Sequence, residues 1–135
     1  PSTYRLVAGA RDLLELACDL GLRLALVSNW GPGLPRTLEA LGVLDRFDVV
    51  LVSAVERLEK PDPRLFARAL EGLGVTGDEV LHVGDHPEKD ARGAQGAGLR
   101  AALVDASGTM QAPTGTLRLR DLHQLTALLP GLCRP

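Results

Sequence analysis

Short apolar runs alternate along this chain with longer segments of helical periodicity, and this alternation limits the possible folds more than any other feature. The runs predict strands at 23–28, 48–53, 79–84 and 100–104, with a shorter strand at 116–119. Because the first four runs have almost no polar face, they suit strands that are covered on both sides. The sequence therefore predicts an α/β fold, a doubly wound parallel sheet with helices on both faces.

Glycine and proline mark the ends of the helices between these strands. Asp62 precedes Pro63, which predicts an N-cap followed by the first helical position. The helices are predicted at 7–20, 36–41, 62–71, 88–97 and 121–129. The length of 135 residues favours a single domain over residues 1–135.

Composition excludes several classes of function. The net charge of −2 and the 3% aromatic content argue against a nucleic-acid interface or an anionic-membrane binder, and no apolar run is long enough to span a bilayer. Cys18 and Cys133 lie far apart, which suggests neither a zinc site nor a disulfide framework. Residues 1–5 show no secretory-type apolar core, so a reducing, cytoplasmic location is expected.

The strongest chemical signal follows the third predicted strand. Asp85 comes directly after that strand, and Asp90 follows five residues later at the start of a helix. Mg²⁺ in proteins is typically held by one or two carboxylates together with substrate phosphate and water. Asp85 and Asp90 are therefore candidate magnesium ligands, although by themselves they could equally be a turn residue and a helix cap. Gly84 would let the backbone turn closely beneath them.

Two further loops are predicted to lie at the same edge of the sheet, where ligands of such folds bind. The first predicted strand ends in Ser28 and Asn29, a hydroxyl and an amide suited to a phosphoryl oxygen. Lys60 stands before the rigid turn into the helix that Asp62 caps, so its ammonium would lie near the positive end of that helix. Both loops are candidates for binding phosphate, although each by itself also suits a structural role, Ser28-Asn29 as a common turn and Lys60 as a solvated loop lysine.

In this order the elements resemble the haloacid dehalogenase-like (HAD) hydrolase superfamily, over residues 9–129. The resemblance implies that Ser28 and the Asn29 backbone hold the phosphoryl group. It implies that Lys60 neutralises charge on the nucleophile and the phosphoryl oxygens, and that Asp85 binds Mg²⁺. Asp90 would bind the metal or orient its surroundings. The Gly84-Asp85 form is similar to the magnesium-dependent phosphatases of the family, which ranks hydrolysis of a small phosphorylated metabolite above dehalogenation.

The family's first motif, an Asp-x-Asp after the first strand, does not occur in the 135 residues. Its leading Asp is the nucleophile, so the chain alone is expected to be inactive. In the family that strand lies between those ending here at Ser28 and at Asp85, and its loss would leave two strand edges unpaired.

Three arrangements would relieve these unpaired edges. A longer protein supplies the strand together with the substrate-selecting cap, a partner chain donates it, or the two edges close on each other. The first is preferred, and pairing of residues 25–27 with 81–83 would overturn it. Unpaired strand edges would also favour self-association of the chain.

Two other classes of function remain open at this point. One is a complete, non-catalytic module that binds phosphate or acts as a scaffold, which the missing Asp-x-Asp supports. The other is an unrelated doubly wound domain of the receiver type, although the expected acidic cluster and phosphorylatable Asp are not evident. His82 is expected to be a packed histidine. His86 and Trp30 could each face substrate or lie in ordinary loops, and Asp105 is expected to be a turn residue.

Overall fold

The computed structural model describes residues 6–133 of the chain. Residues 1–5, on which the prediction about a secretory-type leader rests, lie outside the described residues, as do residues 134–135. The strands are β1 (Ala25–Ser28), β2 (Val49–Val52), β3 (Leu81–Gly84), β4 (Arg100–Val104) and β5 (Leu117–Leu119). The α-helices are α1 (Ala10–Asp19), α2 (Leu34–Ala40), α3 (Ser53–Glu56), α4 (Pro63–Leu73), α5 (Gly93–Gly96) and α6 (Leu122–Leu132).

All strand pairs are parallel, and within residues 6–133 they form two sheets. One sheet has the order β1-β2, with Val27 opposite Leu51, and the other has the order β3-β4-β5. The predicted α/β class with parallel strands and flanking helices is therefore confirmed.

The two sheets do not pair with each other in the part of the chain that is described. β1 pairs with β2 and β3 pairs with β4, so residues 25–27 do not contact residues 81–83 as sheet neighbours. Both edge strands are only half-buried along their length, whereas Ala101, Ala102 and Leu103 in the middle of β4 are buried. The arrangement in which these two edges close on each other is therefore not adopted.

Helix α1 joins the two sheets by packing against both cores. It lies on α6, and its neighbouring residues Leu13 and Leu14 reach different clusters. Leu14 packs against the cluster of the β1-β2 sheet, formed by Leu34, Leu38, Val43 and Val52. Leu13 packs against the cluster of the β3-β4-β5 sheet, formed by Ala102, Leu119 and Leu125.

Helix α4 joins the sheets on the other side. It contacts β1, β2 and α5, and its fully buried Phe66 belongs to a cluster with Ala91, Ala94, Leu99 and Ala101. Ala101 and Ala102 are consecutive in β4, so their side chains point to opposite faces of the sheet. Because each joins a different cluster, helices cover both faces of this sheet.

The segment after β3 differs from its prediction. A single helix was expected over 88–97, but residues Pro87–Arg92 form a π-helical turn that leads into the short α5. The π turn carries Asp90 inward, where it is 3% exposed. π-Helical turns are frequent at functional sites.

The C-terminal end of α4 also differs from the prediction. Helix α4 was expected to run to about residue 71 and to be closed by Gly72 and Gly74; it continues through Gly72 to Leu73, and its C-cap is Gly74, which has a φ of +68°. A Cβ at Gly72 would lie 2.8 Å from Cγ2 of Val49, so this glycine lets α4 approach β2 closely. The capping by Asp62 is confirmed, since its carboxylate accepts from the N–H of Arg64. None of the helices within residues 6–133 is long and apolar enough to span a membrane.

Candidate functional site

The predicted site residues lie at the carboxyl ends of the strands. Ser28 is the last residue of β1, Asp85 directly follows β3, and Lys60 stands shortly before α4. In a parallel sheet each strand is followed by a crossover connection, usually a helix. The loops that begin these connections therefore lie at the same edge of the sheet. Whether the side chains meet depends on the contacts between the three loops.

The side chain of Asn29 connects the end of β1 to the loop of Lys60 by two hydrogen bonds. Its Oδ1 accepts from the backbone N–H of Lys60 at 2.9 Å, and its Nδ2 donates to the Lys60 carbonyl at 3.2 Å. Both polar atoms of the amide are therefore used on one residue of the neighbouring loop. The side chain of Asn29 positions Lys60, while the predicted role of the Asn29 backbone in binding phosphate stays a prediction.

Asp90 is the centre of the site. Its Oδ1 lies 2.5 Å from Nζ of Lys60 and 2.9 Å from Nε2 of His82, and its Oδ2 accepts from the backbone N–H of His86 at 3.1 Å. The side chains of Lys60 and Asp90 are only 14% and 5% exposed. The carboxylate thus links the loop before α4, strand β3 and the π turn.

The partners of Asp90 keep it ionised. Burial works to raise the pKa of the Asp90 carboxyl, but the hydrogen bonds from His82 and Lys60, together with the nearby ammonium of Lys60, hold that pKa well below its usual range. An ionised, buried carboxylate next to an ammonium forms a neutral pair whose hydrogen bonds are charge-assisted. The ion pair of Lys60 and Asp90 can therefore persist in the site at neutral pH.

Gly84 and Gly93 permit these close contacts. A Cβ at Gly84 would lie 2.1 Å from Cγ of Asp90, so no side chain fits there while the carboxylate keeps its place. A Cβ at Gly93 would lie 2.9 Å from Cβ of Pro61, which brings α5 against the loop of Lys60. Gly84 and Gly93 thus allow neighbouring segments of the chain to pack closely around Asp90 and Lys60.

Two predicted residues keep free polar groups. Within residues 6–133, the hydroxyl of Ser28 and the carboxylate of Asp85 have no hydrogen-bond partner. Ser28 is half-buried and Asp85 is exposed. The contacts of Asn29 with Lys60, of Lys60 with Asp90 and of Asp90 with His86 link the segments that directly follow Ser28 and Asp85 in the chain. That the side chains of Ser28 and Asp85 meet the other two stays a prediction.

The carboxylates fit a magnesium ion unequally. Both oxygens of Asp90 already accept hydrogen bonds, whereas those of Asp85 accept none from residues 6–133. No group of three or more acidic, histidine or cysteine side chains suitable for a metal occurs within residues 6–133. Mg²⁺ can be bound by one or two carboxylates together with phosphate and water. Asp85 therefore fits one ligand position, and of the two roles predicted for Asp90 the geometry favours orientation of its surroundings.

The other candidate residues have structural contacts. Nδ1 of His86 accepts from the N–H groups of Glu88 and Lys89 at 3.2 and 3.0 Å, so His86 caps the π turn. The backbone of Trp30 is bound to Ser53, which anchors the loop after β1 at the end of β2. Asp105 is buried and accepts from its own turn, as expected of a turn residue.

The sequence did not single out His82 as a member of this site. It was expected to be a packed histidine, and its ring does pack edge-on against Phe66, with ring centroids 5.0 Å apart. Its bond to Asp90 joins residues eight positions apart. The signal that could have revealed it is the single ring nitrogen donor in an otherwise apolar strand, which requires a partner when half-buried.

The chain is similar to known hydrolases. The family model described as haloacid dehalogenase-like hydrolase matches residues 2–98. A phosphoserine phosphatase of Thermus thermophilus is 42% identical over 125 residues, which are 90% of this chain and 50% of that protein. Phosphatase MT3486 of Mycobacterium tuberculosis is 37% identical over 90% of this chain and 55% of its own length.

A solved structure shares the fold as well. The crystal structure of a HAD phosphatase from Thermococcus onnurineus superposes with a TM-score of 0.87 at 29% identity, covering 94% of this chain and 59% of that one. The chain belongs to the haloacid dehalogenase-like hydrolase family. It spans about half the length of the relatives described above.

We predict that Gly84→Ala disrupts the site, because the added methyl group would occupy the place of the Asp90 carboxylate. Displacing a buried, paired charge should lower the free energy of unfolding by roughly 3 kcal/mol or more. The matched control is Gly96→Ala, where a Cβ meets nothing within 4 Å and the helical position favours alanine. Urea unfolding of both variants checks this, and equal stabilities of the two would contradict it.

We predict that Asp90→Asn flattens the acid dependence of stability. Because the folded state lowers the pKa of Asp90, its contribution is complete above its unfolded value and disappears as the pH falls through the lower folded value. The free energy of unfolding of the wild type should therefore fall more steeply than that of the variant from about pH 5 downward. Urea titrations at several pH values measure both slopes, and parallel curves would refute the prediction.

Proposed function

We propose that this chain forms the phosphate- and metal-binding part of a magnesium-dependent phosphohydrolase that acts on a small phosphorylated metabolite. The observation that carries the proposal is the ion pair of Lys60 and Asp90, which is bound through Asn29 to the segment after Ser28 and through the backbone of His86 to the segment after Asp85. Family membership and the phosphatases among the relatives support it.

Each side chain has a role in this proposal. The hydroxyl of Ser28 donates to one phosphoryl oxygen, and the ammonium of Lys60 neutralises charge on others. Asp90 keeps that ammonium at the mouth through its 2.5 Å contact. Asp85 would hold Mg²⁺, which when bound supplies positive charge to the phosphoryl oxygens. Local positive charge of this kind suits a phosphate substrate despite the net charge of −2.

We further propose that the chain functions as the C-terminal portion of a longer hydrolase. The Asp-x-Asp pair that would supply the nucleophile does not occur in the 135 residues, and the relatives are about twice as long. A strand placed between β1 and β3 would pair the edges of these two strands that the described residues leave open. An unsatisfied buried backbone group costs about 1–3 kcal/mol, so such a strand would add stability as well as the nucleophile.

The cellular location and the partners that we propose follow from the charge and the cysteine content of the chain. Cys18 and Cys133 are free and exposed, which suits a reducing, cytoplasmic location. We propose a small-molecule substrate and neither a nucleic acid nor a membrane as partner, because the chain carries no excess of basic residues. Self-association through the open edges is proposed for the chain when no further strand is present.

The activity test uses the full-length protein encoded by the gene and a panel of small phosphate esters. We expect hydrolysis that requires Mg²⁺, and we expect Asp85→Asn to lower kcat/KM by roughly 100-fold or more, as for loss of a group that stabilises transition-state charge. The control is Asp45→Asn, an exposed aspartate in the turn before β2, at the opposite edge of the sheet. It should keep wild-type activity.

Two outcomes of this assay would contradict the proposal. Activity that survives both chelation and Asp85→Asn would exclude the metal role of Asp85. Absence of hydrolysis for every ester, with inorganic phosphate still bound in calorimetry, would favour the non-catalytic phosphate-binding module.

The longer-hydrolase proposal predicts a difference in hydrogen exchange. Backbone amides of β1 and β3 should exchange more slowly in the full-length protein than in the 135-residue chain, because a strand between them supplies hydrogen-bond partners. Amides of β4, which already has strands on both sides, serve as the internal control and should change little. Equal exchange of β1 and β3 in both proteins would contradict the proposal. Concentration-dependent protection in the short chain would instead indicate self-association.

A further inference from the structure

The imidazole of His82, a residue of β3, contacts both the hydrophobic core and the ion pair of Lys60 and Asp90. On one side its ring meets Phe66 edge-on, at an interplanar angle of 88°. On the other its Nε2 lies 2.9 Å from the Asp90 oxygen that also contacts Lys60. We propose that His82 is a positioning residue, which fixes the Asp90 carboxylate and through it the Lys60 ammonium.

The direction of the hydrogen bond follows from the chemistry of its partner. An ionised carboxylate can only accept, so Nε2 of His82 carries the hydrogen and donates to Asp90. The same oxygen accepts from Lys60, while the second oxygen accepts from the N–H of His86. A rotation of the carboxylate would therefore break at least one of three bonds, and this restricts where the ammonium can lie.

Phe66 explains why His82 can act as a fixed reference point. Phe66 is fully buried in the cluster under α4, and its edge-on contact sets the plane of the imidazole. His82 itself belongs to β3, whose backbone is paired with β4. Lys60, in contrast, has a flexible stem with four rotatable carbons and stands in a loop. The more rigid partner therefore constrains the more flexible one through Asp90.

The catalytic consequence of this positioning rests on the proposed function. If Lys60 neutralises phosphoryl oxygens in the transition state, a small displacement of its ammonium lowers the rate, because misplacement by about 1 Å can cost 100-fold. The positioning itself does not require catalysis and can be measured separately. The experiment therefore has one readout for each part.

Three substitutions of His82 separate donation from packing. His82→Phe keeps an aromatic ring against Phe66 but removes the donor. His82→Gln places an amide N–H about as far along the side chain as Nε2, whereas His82→Asn places it only as far as Nδ1. Gln and Asn are similar in polarity, so a difference between them reports the reach of the donor. Thermal unfolding confirms that each variant is folded before comparison.

The first readout is chemical labelling of lysine amines in the full-length protein by reductive methylation, followed by mass spectrometry of the Lys60 and Lys89 peptides. Lys89 is exposed and serves as the internal reference. We expect Lys60 to label more slowly than Lys89 in the wild type. Its relative rate should rise roughly three- to tenfold in His82→Phe and His82→Asn, as loss of one hydrogen bond implies, and should stay near the wild-type rate in His82→Gln.

The second readout is hydrolysis of small phosphate esters by the same proteins. We expect kcat to fall roughly 10- to 100-fold in His82→Phe and His82→Asn with little change in KM, and to recover in His82→Gln. Unchanged Lys60 labelling in all three variants would overturn the positioning role. If labelling responds as expected but the wild type hydrolyses no ester, the proposed function fails and the positioning role stands. A normal kcat in a variant whose labelling has risen would refute the catalytic consequence.

Discussion

The carboxylate of Asp90 is the point at which three segments of the chain meet. It accepts from Lys60 in the loop before α4, from His82 within β3 and from the backbone of the π turn at His86. A buried carboxylate with these partners stays charged, because hydrogen bonds and a nearby ammonium compensate for the loss of water. The close approach of β3 to Asp90 and the absence of a side chain at Gly84 accommodate this one group.

The rest of the architecture brings those segments to a common edge. In residues 6–133 the β1-β2 pair carries Ser28 and Asn29, and the β3-β4-β5 sheet carries His82 and leads to Asp85. No strand pairing joins the two sheets there, so their relative position depends on α1 and α4, which pack against both. The polar link from Asn29 to Lys60 and onward to Asp90 crosses the same gap. Packing of helices and one buried polar network thus act together where a sheet hydrogen-bond ladder is missing.

Much of this molecule could be predicted from residue order. The apolar runs placed every strand to within a few residues, and the Asp62-Pro63 pair located the start of α4. The positions of Ser28, Lys60, Asp85 and Asp90 at strand ends or helix starts indicated one shared edge, and their family resemblance agrees with the match over residues 2–98. Prediction was weaker where a residue serves a contact across the fold. Gly72 read as a helix stop because its local signal is that of a breaker, although it lies against Val49 of β2.

Periodicity and local turn chemistry act over a few residues, and for that reason the amino-acid order already specified the parallel α/β class, the strand ends and the residues that gather there. Contacts between distant segments depend on how helices and sheets pack, and no local pattern encodes them. The use of both Asn29 amide atoms on Lys60, the π turn and the partnership of His82 with Asp90 belong to this second group. So does the difference between the two carboxylates, because solvent reaches Asp85 while Asp90 is enclosed by donors from three segments.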